Sequence, residues 1–476
     1  MKNFLKTIIA LTLGLSMLAA ASVYTMPSTD KARNRAEYAP SDYLFEGSYK
    51  MPRNSLDVVF LGSSEIYNAI SPMEMWREQG IAGYCCSSSG QQAVTSYYYL
   101  REILRRQSPK LAVVDVYGLY TDPAQVSRNE GNNRSATDKM RFSREKIALS
   151  RILWKQQKDK GESFWSYLLP VLRFHSRWTE LKETDLTLRQ HYDYARGYST
   201  VFGDTAYAGL TEESYPFLSQ EPTDEAAERD EEAAGWYRKI GELCARRGIR
   251  LLMIRTPCSG YTLEDKNALY RLAAECGADA LDFNDAAVWA QMDFDCTNDM
   301  LDSVHLNYRG AKKLSVYLGG VLRRDYGLPD HRGEEAYAFW DSDLPLYDAE
   351  LRAWKIQHCT TGTKLRKLVM DENYELLAVG AENAEPAFAA ALGVDPGIPS
   401  LWISRWDGAQ VSTEYTEESR GFFGAEEYEI NDTGIYMHGC NYMVGSGGLY
   451  YVVRDRLLGK IVDYGTVEPT GKIRRS

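Results

Sequence analysis

Residues 57–64 read DVVFLGSS, an apolar run that ends at a glycine and two serines. A continuous apolar run of this length is typical of a buried strand in a parallel sheet. Glycine permits a sharp turn at the end of the strand, and such a turn exposes a serine hydroxyl. Because open α/β sheets bind ligands at the carboxyl ends of their strands, residues 62–64 are a candidate site. A simple turn has the same sequence, so this motif alone does not decide a function.

The segments that follow alternate between β-prone runs and helical patterns. We predict strands at 81–86, 110–117, 249–254 and 278–283, and helices at 71–80, 91–106 and 231–246. Strands and helices that alternate in this way indicate a doubly wound sheet, so the expected fold class is α/β with a parallel sheet.

The composition excludes several classes of protein. Hydrophobic residues make up 44% of the 476 residues and charged residues 25%, as in globular proteins. The formal net charge is −11 and no basic run stands out, which argues against a nucleic-acid partner. The eight cysteines lack zinc-ligand spacing, and we expect most of them to be buried apolar side chains. No phosphate-loop, dinucleotide-binding or HExxH metal-binding motif is present, so we expect no cofactor and no metal.

The N-terminus predicts export. Lys2 and Lys6 precede an apolar run over 7–23, and the alanines at 19–21 are typical of a signal-peptide cleavage site. The same run is near the lower length limit for crossing a bilayer, so residues 1–23 are either a signal peptide or a membrane anchor. Positive charge before the run predicts that the later residues face the outside. We interpret the polar, proline-containing residues 24–56 as a linker.

Two further changes of pattern predict domain boundaries. Residues 57–328 carry the strand–helix alternation, which a charged, tryptophan-bearing helical insertion interrupts at about 121–230. The alternation then stops, and residues 329–476 are rich in glycine and tyrosine with short β-prone runs. Two of these runs, 450–453 and 461–463, flank a turn and predict a hairpin. We therefore predict a separate C-terminal β-rich domain.

A second motif that could carry chemistry, residues 302–305, reads DSVH and precedes a predicted helix that Asn307 is suited to cap. An aspartate three residues before a histidine can reach its Nδ1 atom, which fixes the ring tautomer and stabilises the imidazolium. The chain has only six histidines, so few bases are available to activate a serine. A capping or surface histidine is the alternative interpretation of His305.

These motifs together resemble the SGNH/GDSL hydrolase family, and most of all its DltD-like exported Gram-positive members. The resemblance covers residues 57–326 apart from the insertion, and it implies a three-layer α/β/α sandwich. It implies Ser64 as the nucleophile, and Asp302 and His305 as the remainder of a catalytic triad. The backbone N–H groups of Ser64 and Gly90 would form the oxyanion hole.

The choice between the two serines rests on geometry and on the resemblance. Neighbouring residues of an extended strand point to opposite sides, so only one of Ser63 and Ser64 can face His305. The family nucleophile stands two residues after the glycine, which selects Ser64 and puts Ser63 in the place of the usual aspartate.

The chain departs from the family pattern after the third predicted strand. Family members normally supply an asparagine there as a further oxyanion donor, whereas residues 115–119 read DVYGL. The source of a third donor is therefore left open by the resemblance.

The resemblance implies an extracytoplasmic serine esterase that acts on O-acyl esters, such as acetyl esters, of cell-envelope or extracellular glycans. Two alternatives stay open: an acyltransferase on a cell-envelope polymer, and a non-catalytic glycan-binding surface protein. The serine, glycine and Asp/His set favours an enzyme, and the missing asparagine favours the binding protein. The expected partners are an acylated glycan or polymer and, through the N-terminus, a membrane.

Overall fold

The structure is a computed structural model. It describes residues 12–14, 16–17, 44–120, 129–138, 140–157, 161, 163–169, 171–174, 179, 193–199, 202–203, 205–381, 383–395, 401–416, 418–431, 433–437, 439–445 and 447–475. Most of the predicted signal peptide or anchor, most of the predicted linker and parts of the predicted insertion lie outside the described residues. Among the helices within them, none has both the length and the apolar character needed to cross a bilayer.

The described chain forms two compact units, the first ending at Leu344 and the second beginning at Pro345. The sequence pattern predicts this change earlier, at residue 329. Residues just before the division belong with the first unit because Trp340 is fully buried and stacks on Trp76, with 5.0 Å between ring centroids. Asp341 also accepts a hydrogen bond from the Trp76 indole at 2.9 Å.

A five-stranded parallel sheet forms the centre of the first unit. Its strands are β1 (Val58–Gly62), β2 (Gly83–Ser87), β3 (Leu111–Asp115), β4 (Arg250–Arg255) and β5 (Asp279–Asp282). They lie in the order β2-β1-β3-β4-β5, and each neighbouring pair is parallel. Every residue of β1, β2 and β3 is buried, which explains why apolar residues predominate in these strands. The α/β class with a parallel sheet is confirmed.

The strand order also locates the edge where a site is expected. The chain moves outward from β1 to β2 and then returns to β3 on the other side of β1. Ligands of such sheets bind beyond the carboxyl ends of the strands at this reversal. The end of β1 lies at that point.

Helices connect the strands. In the first unit they are α1 (Leu44–Gly47), α2 (Ser64–Ala69), α3 (Pro72–Gln79), α4 (Ala93–Ile103), α5 (Glu130–Asp138), α6 (Arg144–Gln157), α7 (Phe164–Leu168), α8 (Val171–Phe174), α9 (Glu231–Arg247), α10 (Leu263–Glu275), α11 (Ala286–Met292) and α12 (Tyr308–Tyr326). Helix α12 packs against α2 and α3, and α9 packs against α4. Helices α5 to α8 fall within the predicted insertion between β3 and β4.

Local signals in the sequence explain where the helices beside the site begin and end. Ser71 caps α3 by accepting the N–H of Glu74, and Gly80 ends that helix with a φ of 68°. Asn307 caps α12 by accepting the N–H groups of Arg309 and Gly310. Its side chain also donates to the carbonyl of Asn298 at 2.6 Å, which ties the start of the helix to the preceding loop.

The second unit is antiparallel and β-rich, as the sequence predicts. One sheet has the order β15-β14-β13-β6-β7-β8 and the other the order β12-β11-β10-β9. Their strands are β6 (Tyr374–Gly380), β7 (Trp402–Trp406), β8 (Val411–Glu414), β9 (Ser419–Phe423), β10 (Glu426–Asn431), β11 (Gly434–Met437), β12 (Cys440–Asn441), β13 (Leu449–Asp455), β14 (Lys460–Val467) and β15 (Ile473–Arg474). The predicted hairpin is the antiparallel pair of β13 and β14.

The helices of this part are α13 (Ala338–Gln357), which runs across the division, α14 (Gly362–Val369) and α15 (Pro386–Ala391).

All eight cysteines are free thiols, and only Cys440 is exposed. The other seven are buried, so the interpretation of most cysteines as buried residues is confirmed. Cys85 and Cys86 stand next to each other in the buried strand β2.

Candidate active site

The turn from β1 into α2 separates the two neighbouring serines. Ser63 is 2% exposed, and its Oγ atom accepts the N–H of Glu65 at 3.3 Å, which caps α2. Ser64 is the first residue of the helix and is half-buried. Of these two serines, only Ser64 therefore offers its hydroxyl at the carboxyl edge of the sheet.

Gly62 is required at this turn by close packing. A Cβ atom at position 62 would lie 2.5 Å from Cγ1 of Ile66 and 3.0 Å from Cβ of Asp115. The missing side chain thus lets the first turn of α2 fold back closely over the end of β1.

A narrow loop before α12 carries the predicted aspartate and histidine. Met300 pairs with Leu306 across the loop, and the N–H of Leu301 donates to the carbonyl of His305 at 2.8 Å. Asp302 Oδ1 accepts the backbone N–H groups of Val304 and His305, each at 2.9 Å. These bonds fix the carboxylate relative to the backbone of the histidine.

The side chains of the loop then meet the serine. Asp302 Oδ2 lies 2.7 Å from His305 Nδ1, and His305 Nε2 lies 2.8 Å from Ser64 Oγ. When Nδ1 donates its proton to Asp302, Nε2 is left as the acceptor that faces the serine hydroxyl. The structure therefore brings together three predicted residues, although Ser64 and His305 are 241 positions apart.

The electrostatics of the pair favour an ionised aspartate. Partial burial raises the pKa of Asp302, but the hydrogen bonds from the His305 ring and from two backbone N–H groups outweigh it. The net pKa lies below the ordinary value of an aspartate. Asp302 is thus a carboxylate at neutral pH, as is needed to stabilise a protonated His305.

The predicted oxyanion residue Gly90 follows β2, the strand that pairs with β1. Ser87 is the register partner of Gly62, so the segments after both residues leave the same edge of the sheet. Gly90 has a φ of 55°, a left-handed conformation that favours glycine. The Gln91 side chain donates to Ser96 Oγ at 2.9 Å and holds this loop. The oxyanion role of Gly90 and of the Ser64 N–H stays a prediction.

A buried charge cluster beside the turn from β1 into α2 was not predicted from the sequence. Arg255, the last residue of β4, contacts the Glu65 carboxylate, and its guanidinium lies 3.5 Å from Asp115 Oδ1. Thr256 Oγ1 donates to the same Glu65 carboxylate at 2.9 Å. Burial raises the pKa of Asp115, Arg255 opposes the change, and Glu65 adds to it, so the net pKa is raised.

One signal for this cluster was present in the sequence. Glu65 directly follows the serines, and Arg255 directly follows the predicted apolar strand 249–254. Charged residues at the carboxyl ends of buried strands meet at one edge of a parallel sheet, but their pairing depends on the strand order. The cluster anchors the first turn of α2, and with it Ser64, to β3 and β4.

Asp282, at the end of β5, is a further buried carboxylate. Its Oδ1 atom accepts the backbone N–H of Asn284 at 2.9 Å. Asn284 in turn accepts the N–H of Cys258 and donates to the carbonyl of Thr256. Burial raises the pKa of Asp282 to about 6 although the hydrogen bonds from Asn284 oppose it. These contacts assign Asp282 to the support of the loop after β4.

No protein-family model and no curated protein matches this chain. A function is therefore inferred from the arrangement of Ser64, His305 and Asp302.

Proposed function

We propose that the chain is an SGNH-type serine hydrolase, an esterase that removes O-acyl groups such as acetyl from cell-envelope or extracellular glycans. The observation that carries the proposal is the continuous hydrogen-bond relay from Asp302 through His305 to Ser64, with distances of 2.7 and 2.8 Å. A histidine with only a capping or surface role does not require a hydrogen bond to a half-buried serine hydroxyl.

The relay provides the steps of ester hydrolysis. Ser64 Oγ attacks the carbonyl carbon of the ester while His305 Nε2 takes the hydroxyl proton, and Asp302 stabilises the resulting imidazolium. The carbonyl oxygen becomes an oxyanion, which the N–H groups of Ser64 and Gly90 would stabilise. His305 then protonates the leaving sugar oxygen, and the acyl group stays on Ser64. Water repeats the sequence and releases the carboxylic acid and the free serine.

The fold supports the family assignment that the motifs imply. Ser64 follows β1, Gly90 follows β2, and the loop with Asp302 and His305 comes after β5, the last strand of the parallel sheet. The sheet order β2-β1-β3-β4-β5 and the buried strands are what a three-layer α/β/α sandwich requires.

The proposed location and substrate depend on the sequence. The apolar N-terminal run with preceding lysines predicts export, and an exported esterase meets acylated polymers of the cell envelope. Protease added to intact cells should then cut the chain, and full protection would contradict the proposed location.

A fluorophosphonate probe tests the proposal directly, because it reacts with an activated serine. The purified protein should be labelled at Ser64, as mapped by mass spectrometry of the labelled peptide. Ser64→Ala should lose the label, and Ser63→Ala should keep it. Folded protein that neither takes the label nor hydrolyses nitrophenyl acetate would contradict the proposal and favour a binding protein.

A second assay separates hydrolysis from transfer. The protein is incubated with an O-acetylated glycan, with and without an unacetylated acceptor glycan, and free acetate is measured. An esterase releases acetate at the same rate in both mixtures. Acetylated acceptor at the expense of free acetate would instead identify an acyltransferase.

A further inference from the structure

Residues 116–119, directly after β3, contain no asparagine, but the next described helix of the insertion approaches the same edge of the sheet. Helix α5 begins beside Gly90, and its residue Asn132 contacts that glycine. A Cβ atom at position 90 would overlap Nδ2 of Asn132 and lie 3.3 Å from its Cγ. Position 90 is therefore glycine for two reasons, its φ of 55° and the amide that occupies the space of a side chain.

The start of α5 is fixed against the loop that carries Gly90. Gln92 donates to Asn133 Oδ1 at 2.8 Å, and Gln156 of helix α6 donates to Gln92 Oε1 at 2.9 Å. Within the helix, the backbone N–H of Asn132 donates to Asn129 Oδ1 at 3.1 Å. The residue that follows Asn132 is thus tied to a residue two positions after Gly90.

The Asn132 side chain itself is half-buried, and its amide makes no hydrogen bond to the described part of the protein. Its neighbours Asn129 and Asn133 both use their side chains in hydrogen bonds that hold the helix. The described part of the protein leaves both N–H groups of this neutral amide available, on a helix whose start is fixed, and such donors suit a bound, negatively polarised oxygen.

We propose that Asn132 supplies a side-chain N–H to the oxyanion hole, next to the backbone N–H of Gly90. The inference rests on the proposed function and assigns to α5 the donor that is missing after β3. As the carbonyl oxygen of the ester gains negative charge, the amide donates to it without any change of protonation. The interaction strengthens in the transition state and acts on kcat.

The test compares Asn132→Ala with Ser135→Ala. Ser135 is exposed one turn further along α5, and its hydroxyl donates to the backbone carbonyl of Asn132 at 2.9 Å, so this variant controls for a disturbance of the helix that leaves the amide in place. Removal of one oxyanion donor is expected to lower kcat for nitrophenyl acetate about 100- to 1,000-fold with little change of KM. Ser135→Ala should behave as wild type. The affinity for a phenylboronic acid, whose serine adduct is tetrahedral, should fall together with kcat/KM in Asn132→Ala only.

Asn132→Asp keeps the size of the side chain but replaces the N–H donor by an acceptor, so it should lose at least as much activity. It decides the question if circular dichroism shows that Asn132→Ala does not fold. The assignment is overturned if kcat of both variants stays within about threefold of wild type, or if only KM rises, as for a residue that binds the glycan in its ground state. Wild-type protein without esterase activity or probe labelling would overturn the proposed function and this inference together.

Discussion

At the scale of the residue, adjacent serines have different environments because a helix starts between them. Ser63 is buried and its hydroxyl caps α2, whereas Ser64 meets His305. Alternation along an extended strand predicts that one serine is excluded from the site. It does not predict that the excluded serine has a structural task.

The first prediction concerns the relay. Ser64→Ala or His305→Ala should each lower kcat on the order of 10⁶-fold, and the double variant should lose little more, because the two side chains act as a unit. Asp302→Asn should be severe but less complete, about 10⁴-fold, since the base remains while its orientation is lost. Nitrophenyl acetate hydrolysis measures all four. Additive losses in the double variant would show that the two residues act separately.

The second prediction concerns Ser63. Ser63→Ala should retain substantial activity, but it removes the cap of α2 and should lower the free energy of unfolding by about 1 kcal/mol. Ser71→Ala, which removes the cap of α3, is the matched control and should have a similar effect. Urea unfolding followed by circular dichroism measures both. If Ser63→Ala is inactive and Ser64→Ala is active, the assignment of the nucleophile is reversed.

At the scale of the element, two buried strands end in charged residues that lie at the carboxyl edge of the sheet, Asp115 in β3 and Arg255 in β4.

The third prediction is that Arg255→Leu lowers the free energy of unfolding by about 3–5 kcal/mol, because Glu65 and Asp115 would stay buried without their cation. Arg250 begins the same strand and forms an exposed ion pair with Asp279, so Arg250→Leu should cost at most about 1 kcal/mol. Equal losses in urea unfolding would contradict the role of the cluster.

The fourth prediction concerns the pH dependence that Asp282 causes. Its raised pKa means that the folded state binds the proton more tightly than the unfolded state. The stability from this group is complete below about pH 4 and is lost as the pH rises through about 6. The side chain of Asp282→Asn cannot ionise. Relative to wild type, the free energy of unfolding of this variant should therefore rise across this pH window by up to about 3 kcal/mol, at about 1.4 kcal/mol per pKa unit. Parallel curves of unfolding free energy against pH would contradict it.

The elements near the site could largely be predicted from the sequence because local chemistry fixes them. Apolar residues predominate in the interior of strands β1 to β4, and Ser71, Gly80 and Asn307 mark helix ends by their own hydrogen bonds or backbone conformation. The contacts of Asn132 with Gly90 and of Arg255 with Glu65 could not be predicted. Each joins segments that are far apart in the chain, and only the strand order and the packing of the insertion bring them together.

At the scale of the whole molecule, the division at Leu344 leads to the fifth prediction. A chain that ends at Leu344 should keep the fold of the first unit and its probe labelling, because the contacts of Trp340 and Asp341 with Trp76 remain. A chain that ends at residue 329 loses them and exposes Trp76, which should cost about 3–5 kcal/mol. Thermal unfolding compares the two. Equal stability would place the boundary at 329, where the sequence suggests it.

The distribution of the thiols gives the protein an intrinsic reporter of its own unfolding. Burial raises the pKa of the Cys85 and Cys86 thiols, so neither supplies the thiolate that reacts with alkylating agents or oxidants. A maleimide added to the native protein should modify Cys440 and spare the other seven. Each further modification then records an opening event, and the modified peptide identifies whether the first unit or, at Cys359, the second has opened. Under the proposed export, the same protection would let the chain keep unpaired cysteines in an oxidising compartment, provided that it folds before its thiols are oxidised.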